Sequence, residues 1–377
     1  MVVFSWRRCE NAEELDSVHY LPVHAYSNGR RIAEVAGEFP RDFNLKPRQR
    51  VERRIRITRR LAIATAIGML IVLLMGARVT STGSGAGCGS DWPLCHGSWL
   101  PKNTYESITE YSHRFVTGIE GLLVVATSIA AWPMRHRYRE TLVLVPMMAG
   151  TLVLQSLMGA AAVKWPQSPE VMATHFGISL VCLASAALLA FVLNEERPEG
   201  QTISIAPKTA DEKLLNGYKW IAASGAVLAI IVAYSGAYVR HKGAELACTS
   251  WPTCNGKLIP EFGGLHGIHT IHRIMALVIT LWLVALLIQG IRLRLARPEL
   301  YRSSLIAFSF VILQSIFGLI VVESGLALMA TLAHAFGMSV LFVVLCDATR
   351  LSWRPIESTD ESAEGIAVGS QLTGTVA

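Results

Sequence analysis

Four histidines in apolar segments form two pairs with the same spacing, because His113 and His175 are 62 residues apart, as are His272 and His334. Side chains that ionise or bind metals are costly at membrane depth, so they usually face the inside of a helix bundle and function there. Imidazoles on facing helices are common axial ligands of haem iron. Each pair therefore predicts one six-coordinate haem site. The alternative is interfacial histidines that pair with backbone groups or lipid headgroups.

An arginine directly follows the first histidine of each pair, as Arg114 and Arg273. A haem bound near one face of the membrane directs its two propionates towards water, and the planar guanidinium group suits carboxylates. We therefore predict that both arginines contact propionates. The alternative interpretation is a pair of arginines at helix ends that extend their charged groups into water.

The two histidine pairs differ at one position that bears on chemistry. Glu110 lies three residues before His113, one helical turn away on the same face, whereas the equivalent residue before His272 is His269. A carboxylate beside only one haem predicts that the sites differ in function, with Glu110 as a general base or a stabiliser of a developing cation. A glutamate favoured by the dipole at a helix N-terminus is the alternative. Glu120 also lacks a counterpart and is a candidate for a proton path or an ion pair.

Four of the seven cysteines form two closely spaced pairs, Cys88 with Cys95 and Cys248 with Cys254. Their spacings are wider than the C-x2-C of zinc or thioredoxin sites. A structural disulfide that holds each loop over its bundle is the first interpretation, and a redox-active pair that exchanges electrons with the haem is the alternative. The remaining cysteines are predicted to be chemically inert, namely Cys9, Cys182 and Cys346.

The segments that must position these residues are long and apolar. The chain of 377 residues is 52% hydrophobic and 16% charged, whereas about 25% charged residues is usual for a soluble domain. Apolar runs of this length predict transmembrane helices. The eight runs are 61–79, 114–133, 141–163, 171–194, 218–239, 271–291, 303–322 and 327–349. The predicted fold class is therefore an all-α integral membrane protein with eight transmembrane helices.

The chain repeats itself at an offset of 159 residues, which relates His113 to His272 and His175 to His334. Four spans per repeat give both halves the same orientation in the membrane. The repeat thus predicts two pseudo-symmetric four-helix bundles. The predicted parts are a polar, basic extension at 1–60, bundles at 61–194 and 218–350, a cytoplasmic linker at 195–217 and a disordered tail at 351–377.

The net charge of +6 follows the topology of the chain. The segments on one side of the predicted membrane hold 26 of the 34 Lys and Arg residues. The positive-inside rule then places both termini in the cytoplasm and the histidines near the outer face. We expect a multi-pass protein of the cytoplasmic membrane whose basic charge interacts with the lipid bilayer and not with nucleic acid.

The combined motifs resemble haem A synthases of the bacterial type, relatives of the mitochondrial enzymes of cytochrome oxidase assembly. The resemblance rests on Thr-Gly-Ser-Gly at 82–85, Asp-Trp-Pro-Leu-Cys at 91–95, the Glu-x-x-His-Arg segment at 110–114 and the remaining paired histidines. It covers roughly residues 60–350 and implies an eight-helical fold of two bundles. One position departs from the family pattern, because Thr80 replaces an arginine that the second half keeps as Arg240.

The resemblance implies an oxidoreductase that converts the C8 methyl group of haem O into a formyl group, giving haem A for terminal oxidases. His113 and His175 would flank the substrate haem O, with Glu110 as the catalytic carboxylate. His272 and His334 would bind the iron of a permanent haem b that transfers electrons.

Other functions are compatible with parts of the sequence. A di-haem b-type electron-transfer protein is the main alternative, but it has little use for a carboxylate at one haem only. A transporter or a membrane thiol oxidoreductase would need no haem. The expected partners include a haem O synthase that delivers the substrate. The electron donor, the source of the formyl oxygen and the formation of a homo-oligomer stay open.

Overall fold

The structure is a computed structural model that describes residues 26–27, 30–31, 47–165, 168–195, 211–257 and 262–354. The chain divides into two units, Met1–Val51 and Glu52–Ala377. In the first unit, strands β1 (Tyr26–Ser27) and β2 (Arg30–Arg31) form a short antiparallel pair. The predictions for Cys9, for most of the linker and for the tail after Arg354 concern residues outside the described part of the chain.

Eight long helices make up almost all of the described chain. They are α1 Pro47–Ser81, α2 Tyr105–Ala131, α3 Thr141–Lys164, α4 Pro169–Asn194, α5 Asp211–His241, α6 Gly264–Leu293, α7 Pro298–Glu323 and α8 Leu328–Ser352. All eight are long and apolar enough to cross a membrane. The prediction of an all-α protein with eight transmembrane helices is therefore confirmed.

Six of the eight helices begin earlier than the apolar runs indicated, and two of them, α1 and α5, thereby include residues predicted to lie in the extension or the linker. Helix α1 starts at Pro47, so the basic segment from Arg48 to Arg60 continues into the first span as one helix. Helix α5 starts at Asp211 and includes the end of the predicted linker. Hydropathy marks only the part of a helix that suits the bilayer core, whereas the helix itself continues into the polar interface.

Helix α4 is the most buried of the eight, and it packs against α3, α5 and α8. Small side chains on α4 let neighbouring backbones approach closely, which is how helices associate in a bilayer. These residues are Ala173, Ala184, Ala186, Ala187 and Ala190. The first four helices and the last four thus meet through α4, α5 and α8. The pseudo-symmetry of the two bundles and the domain boundaries stay predictions.

Many large apolar side chains point away from the helix contacts. Leu122 on α2 is 73% exposed and Ile129 on the same helix is 69% exposed. Exposed apolar residues of this size are unfavourable in water but suit contact with lipid chains. The chain is therefore a multi-pass membrane protein.

Candidate functional site

All four paired histidines line one cavity of about 1600 Å³, which extends between the first four helices and the last four. Glu110 and His269 line the same cavity. A site for a single small ligand usually has a volume of about 300 to 1000 Å³. This cavity is large enough for more than one such ligand, so both predicted haem sites share one continuous space.

Each histidine ring lies against a glycine of the preceding helix. An ideal Cβ atom placed on Gly76 would lie 3.3 Å from Cε1 of His113, and one on Gly159 would lie 3.8 Å from Cε1 of His175. The second half shows the same arrangement. An ideal Cβ atom on Gly236 would lie 2.9 Å from Cε1 of His272, and one on Gly318 would lie 3.5 Å from Cε1 of His334. The glycines leave room for the edge of each ring. Sequence comparison of the halves already pairs these glycines, but their contact with the histidines is visible only in the structure.

The tautomer of His272 follows from its hydrogen bonds. Ser235 Oγ lies 2.8 Å from Nδ1 of His272 and 2.7 Å from the Val232 carbonyl oxygen. A hydroxyl has a single proton, and the carbonyl can only accept, so Ser235 donates to Val232 and accepts from the Nδ1–H of His272. The Nε2 atom therefore keeps its lone pair, which is the form that binds a metal ion.

The other three paired histidines have a buried Nδ1 atom without a hydrogen-bond partner among the described residues, namely His113, His175 and His334. Within the same described residues, no three His, Cys, Asp or Glu side chains cluster as a directly bound metal ion requires. Two imidazoles per site suit a metal that arrives with four ligands of its own, as iron does in haem. The histidines and the cavity volume therefore fit two haem groups.

Glu110 is buried at 4% exposure, and both of its carboxylate oxygens have partners. The backbone N–H of Cys88 donates to Oε2 at 2.8 Å, and Nη2 of Arg114 donates to Oε1 at 2.5 Å. Charge-assisted hydrogen bonds of this kind are short and fix the orientation of a carboxylate. Glu110 is thus held at the cavity wall by the disulfide loop on one side and its own helix on the other.

The two arginines next to the histidines hold the outer loops in place. Nη1 of Arg114 donates to the carbonyl oxygens of Asp91 at 2.7 Å and of Leu94 at 2.8 Å. Arg273 likewise donates to the carbonyls of Ser250 and Thr253, and its Nη2 donates to that of Cys248. Both arginines also line the cavity. The structure thus shows their contacts with the loops, whereas their contact with haem propionates stays a prediction.

Both cysteine pairs form disulfide bonds, Cys88–Cys95 and Cys248–Cys254, which confirms the predicted pairing. After each second cysteine the chain turns through two residues with positive φ, His96-Gly97 and Asn255-Gly256. Positive φ at both central residues is typical of a type I′ turn, for which Asn-Gly is the usual sequence. The Asn-Gly step was therefore a signal in the sequence for this turn.

The second half differs from the first where Glu110 would be. His269 is buried at 5% exposure, and its Nδ1 lies 2.9 Å from the carbonyl oxygen of Ala244. It binds the loop through a neutral hydrogen bond and does not bring a carboxylate to the cavity. The asymmetry expected from the sequence is therefore also present in the local contacts.

One arginine that lines the cavity connects the two halves. Nη2 of Arg240 donates to the carbonyl oxygen of Thr80 at 3.1 Å, and its Nη1 pairs with Glu245. Thr80 is the residue of the first half that corresponds to Arg240 in the internal repeat. The arginine of the second half thus contacts the first half at that position, which the sequence alone did not indicate.

Comparison with known proteins identifies the family. A family model described as cytochrome oxidase assembly protein matches residues 59–346. The chain is 42% identical over 309 residues to a protein named Heme A synthase from Geobacillus kaustophilus (strain HTA426), with 80% of this chain and 95% of that protein covered. Proteins of the same name from Bacillus cereus (strain AH187) and Alkalihalophilus pseudofirmus are 40% and 38% identical, and 96% and 97% of their lengths are covered. The chain therefore belongs to the cytochrome oxidase assembly protein family.

Proposed function

We propose that this protein is a haem A synthase, an oxidoreductase that converts the C8 methyl group of haem O into a formyl group. The observation that carries the proposal is the shared cavity, which has two histidine pairs and, for the first pair only, a fixed carboxylate one helical turn before the first histidine. Membership of the family and the names of the relatives support the same reaction. Its product, haem A, would serve terminal oxidases.

The two histidine pairs have different roles in this proposal. His113 and His175 hold the substrate haem O beside Glu110, because that carboxylate has no equivalent in the other half. His272 and His334 hold a haem b, which when bound supplies electron transfer to and from the substrate. The Nδ1–H tautomer of His272, held by Ser235, suits permanent ligation through Nε2.

Glu110 is the catalytic carboxylate of the proposal. Its two hydrogen bonds fix the orientation of the group at the cavity wall. A carboxylate at this place accepts a proton from the substrate or stabilises a positive charge that develops there. The disulfide between Cys88 and Cys95 acts structurally, since it fixes the loop that donates to Glu110.

The membrane setting determines how the substrate arrives. Haem O is strongly apolar, and the wall of the cavity is mostly apolar as well, which favours entry from the bilayer after delivery by a haem O synthase. The distribution of Lys and Arg supports a topology with both termini in the cytoplasm and the haem sites near the outer face of the cytoplasmic membrane.

The test is to produce the protein in a host that makes haem O and to identify the extracted haems by chromatography and mass spectrometry. We expect haem A, or its hydroxylated precursor, in the parent. Glu110→Gln keeps the size of the side chain but removes its charge, so it should retain bound haem O and form at least tenfold less haem A. His334→Ala should lose the haem b and stop turnover.

Two variants serve as matched controls. Glu106→Gln changes an exposed glutamate one turn earlier on α2, and His266→Ala changes an exposed histidine on α6. Both should form haem A at the parental level. If the parent and all variants contain only unmodified haem b with normal visible spectra, the synthase proposal is wrong and the protein is a di-haem electron carrier.

A further inference from the structure

Glu120 is a buried carboxyl group that the proposed reaction does not yet use. It lies on α2 seven residues after His113, on the same face of the helix, and is only 1% exposed. Neither of its oxygens has a hydrogen-bond partner among the described residues. An unpartnered carboxyl group in the interior of a membrane protein is costly and usually has a function.

The first helix leaves a space for this carboxyl group. A Cβ atom on Gly68 would lie 1.9 Å from Oε2 of Glu120, so no larger residue fits there without displacing the side chain. In the second half the equivalent positions are occupied by Leu228 and Ile279, an apolar pair. Only the half with Glu110 thus combines a glycine on the first helix with an acid on the second.

Glu120 lies beside the deep part of the cavity. Its neighbours Ile119 and Gly121 on α2 line the cavity, as does Val72 on α1, one turn before which Gly68 lies. Gly68 precedes Gly76, which contacts His113, by eight residues. At 1.5 Å per residue the carboxyl group lies about 12 Å below that histidine along α1.

Further polar groups continue from Glu120 towards the opposite end of the helices. The buried hydroxyls of Thr65 on α1 and Thr127 on α2 are 2.8 Å apart, one turn beyond Gly68 along α1. Thr58, also buried, donates to the Ala130 carbonyl at 3.4 Å two turns further on. The equivalent positions of the second half are mostly without hydroxyls, being Tyr218, Gly225 and Leu286.

We propose that Glu120 is the protonatable group of a proton path between α1 and α2 that serves the first-half site from the side opposite the histidines. This inference rests on the proposed function, which brings a haem to the first-half site. An electron that enters or leaves a buried haem creates a charge, and that charge is costly in a low dielectric unless a proton moves with the electron. In the second half, the positions equivalent to Glu120, Thr65 and Thr127 carry no hydroxyl or carboxyl group, being Ile279, Gly225 and Leu286.

The proposed step at Glu120 is a proton transfer, in which Glu120 itself is neither oxidised nor reduced. The O–H bond of the Glu120 carboxyl group breaks, and the proton passes through water to the cavity beside Thr117. The carboxylate then takes up a proton that arrives through the Thr65–Thr127 hydroxyl pair. Reversal of both transfers carries protons away from the site, so the same residues serve uptake and release.

Infrared difference spectroscopy of the haem-loaded protein, oxidised against reduced, tests the step without requiring turnover. We expect a change in the C=O stretch of a protonated carboxyl group in the parent. Glu120→Gln should lose this band and form at least tenfold less haem A, with unchanged visible haem spectra. Glu120→Asp should restore part of both signals, whereas Glu106→Gln should keep the parental band.

Gly68→Ala provides a second test that leaves the carboxyl group in the protein. The new Cβ displaces Glu120, so we expect a shifted C=O band and a severalfold lower yield of haem A. Gly150→Ala is the matched control, since its Cβ on α3 would meet no atom within 4 Å. Glu120→Leu separates function from structure, because it should raise the thermal unfolding midpoint while haem A formation is lost.

The outcomes distinguish this inference from the proposed function. If the parent forms haem A, but Glu120→Gln keeps its yield within twofold and its C=O band, then Glu120 has no part in proton transfer while the synthase proposal stands. If the parent forms no haem A but the band still disappears in Glu120→Gln, the synthase proposal fails and the coupling of Glu120 to the haems stands.

Discussion

The contact between Gly236 and His272 gives a direct test of how the proposed haem b site is built. A Cβ atom at Gly236 would lie 2.9 Å from Cε1, 3.4 Å from Nε2 and 3.5 Å from Nδ1 of the imidazole. Carbon atoms do not pack at 2.9 Å, so Gly236→Ala must move the ring by several tenths of an ångström. The ring cannot move freely, because Ser235 holds its Nδ1 atom at 2.8 Å.

The expected cost is that of a small group forced into a packed site, about 1–3 kcal/mol. If the apo protein tolerates the methyl group, this cost falls on the bound state and weakens haem binding by about 5- to 150-fold. Gly318→Ala is the matched control within the same site. Its Cβ would lie 3.5 Å from Cε1 of His334, an ordinary contact, so its effect should be severalfold smaller.

The rate of haem b transfer from each purified variant to an excess of apomyoglobin measures the effect. We expect the rate to rise in the order parent, Gly318→Ala, Gly236→Ala, with a broader visible spectrum in the last. Equal rates for the two variants would refute the reasoning, since the ring would then not be confined by the glycine. Circular dichroism of each variant checks that the helices remain folded.

Three further changes have defined outcomes. Ser235→Ala should keep the haem but raise its midpoint potential in a redox titration. The hydrogen bond to Nδ1 makes the imidazole of His272 a stronger donor to ferric iron, so its loss destabilises the ferric state. An unchanged potential would contradict the assigned tautomer. Arg273→Lys should lower the thermal unfolding midpoint by a few degrees and increase hydrogen exchange in the second disulfide loop, since the single nitrogen of lysine cannot reproduce the planar group whose two nitrogens reach three carbonyls. Equal exchange would show that Arg273 does not hold this loop. The hydrogen bond to Glu170 and the charge of that residue raise the pKa of Lys242 above its usual range. Lys242→Ala should nevertheless leave the thermal unfolding midpoint unchanged, because the ion pair is solvent-exposed. A clear decrease of the midpoint would show that this ion pair joins α4 to α5.

The sequence was sufficient to predict the features that depend on local composition. Eight apolar runs predicted eight helices, because the length of each run is set by the thickness of the bilayer. The repeat paired the four histidines, and the close spacing of the cysteines predicted both disulfides. The difference between Glu110 and His269 was also visible, since a repeat compares each residue with its own counterpart.

The contacts between helices required the tertiary structure. Which side chains meet depends on the rotation and separation of neighbouring helices, and hydropathy does not encode either quantity. The confinement of His272 by Gly236 and Ser235, the loop contacts of Arg114 and the bond from Arg240 to Thr80 are of this kind.

The single cavity is likewise a property of the folded chain. The sequence alone predicts two separate haem sites, one in each half, and the packing of the helices decides that they open into one space of about 1600 Å³. The same packing places Glu120 against Gly68, although the two residues are 52 positions apart in the chain. Composition and spacing thus determined the fold class and predicted the ligand types, whereas close packing between distant segments decided how the site is enclosed.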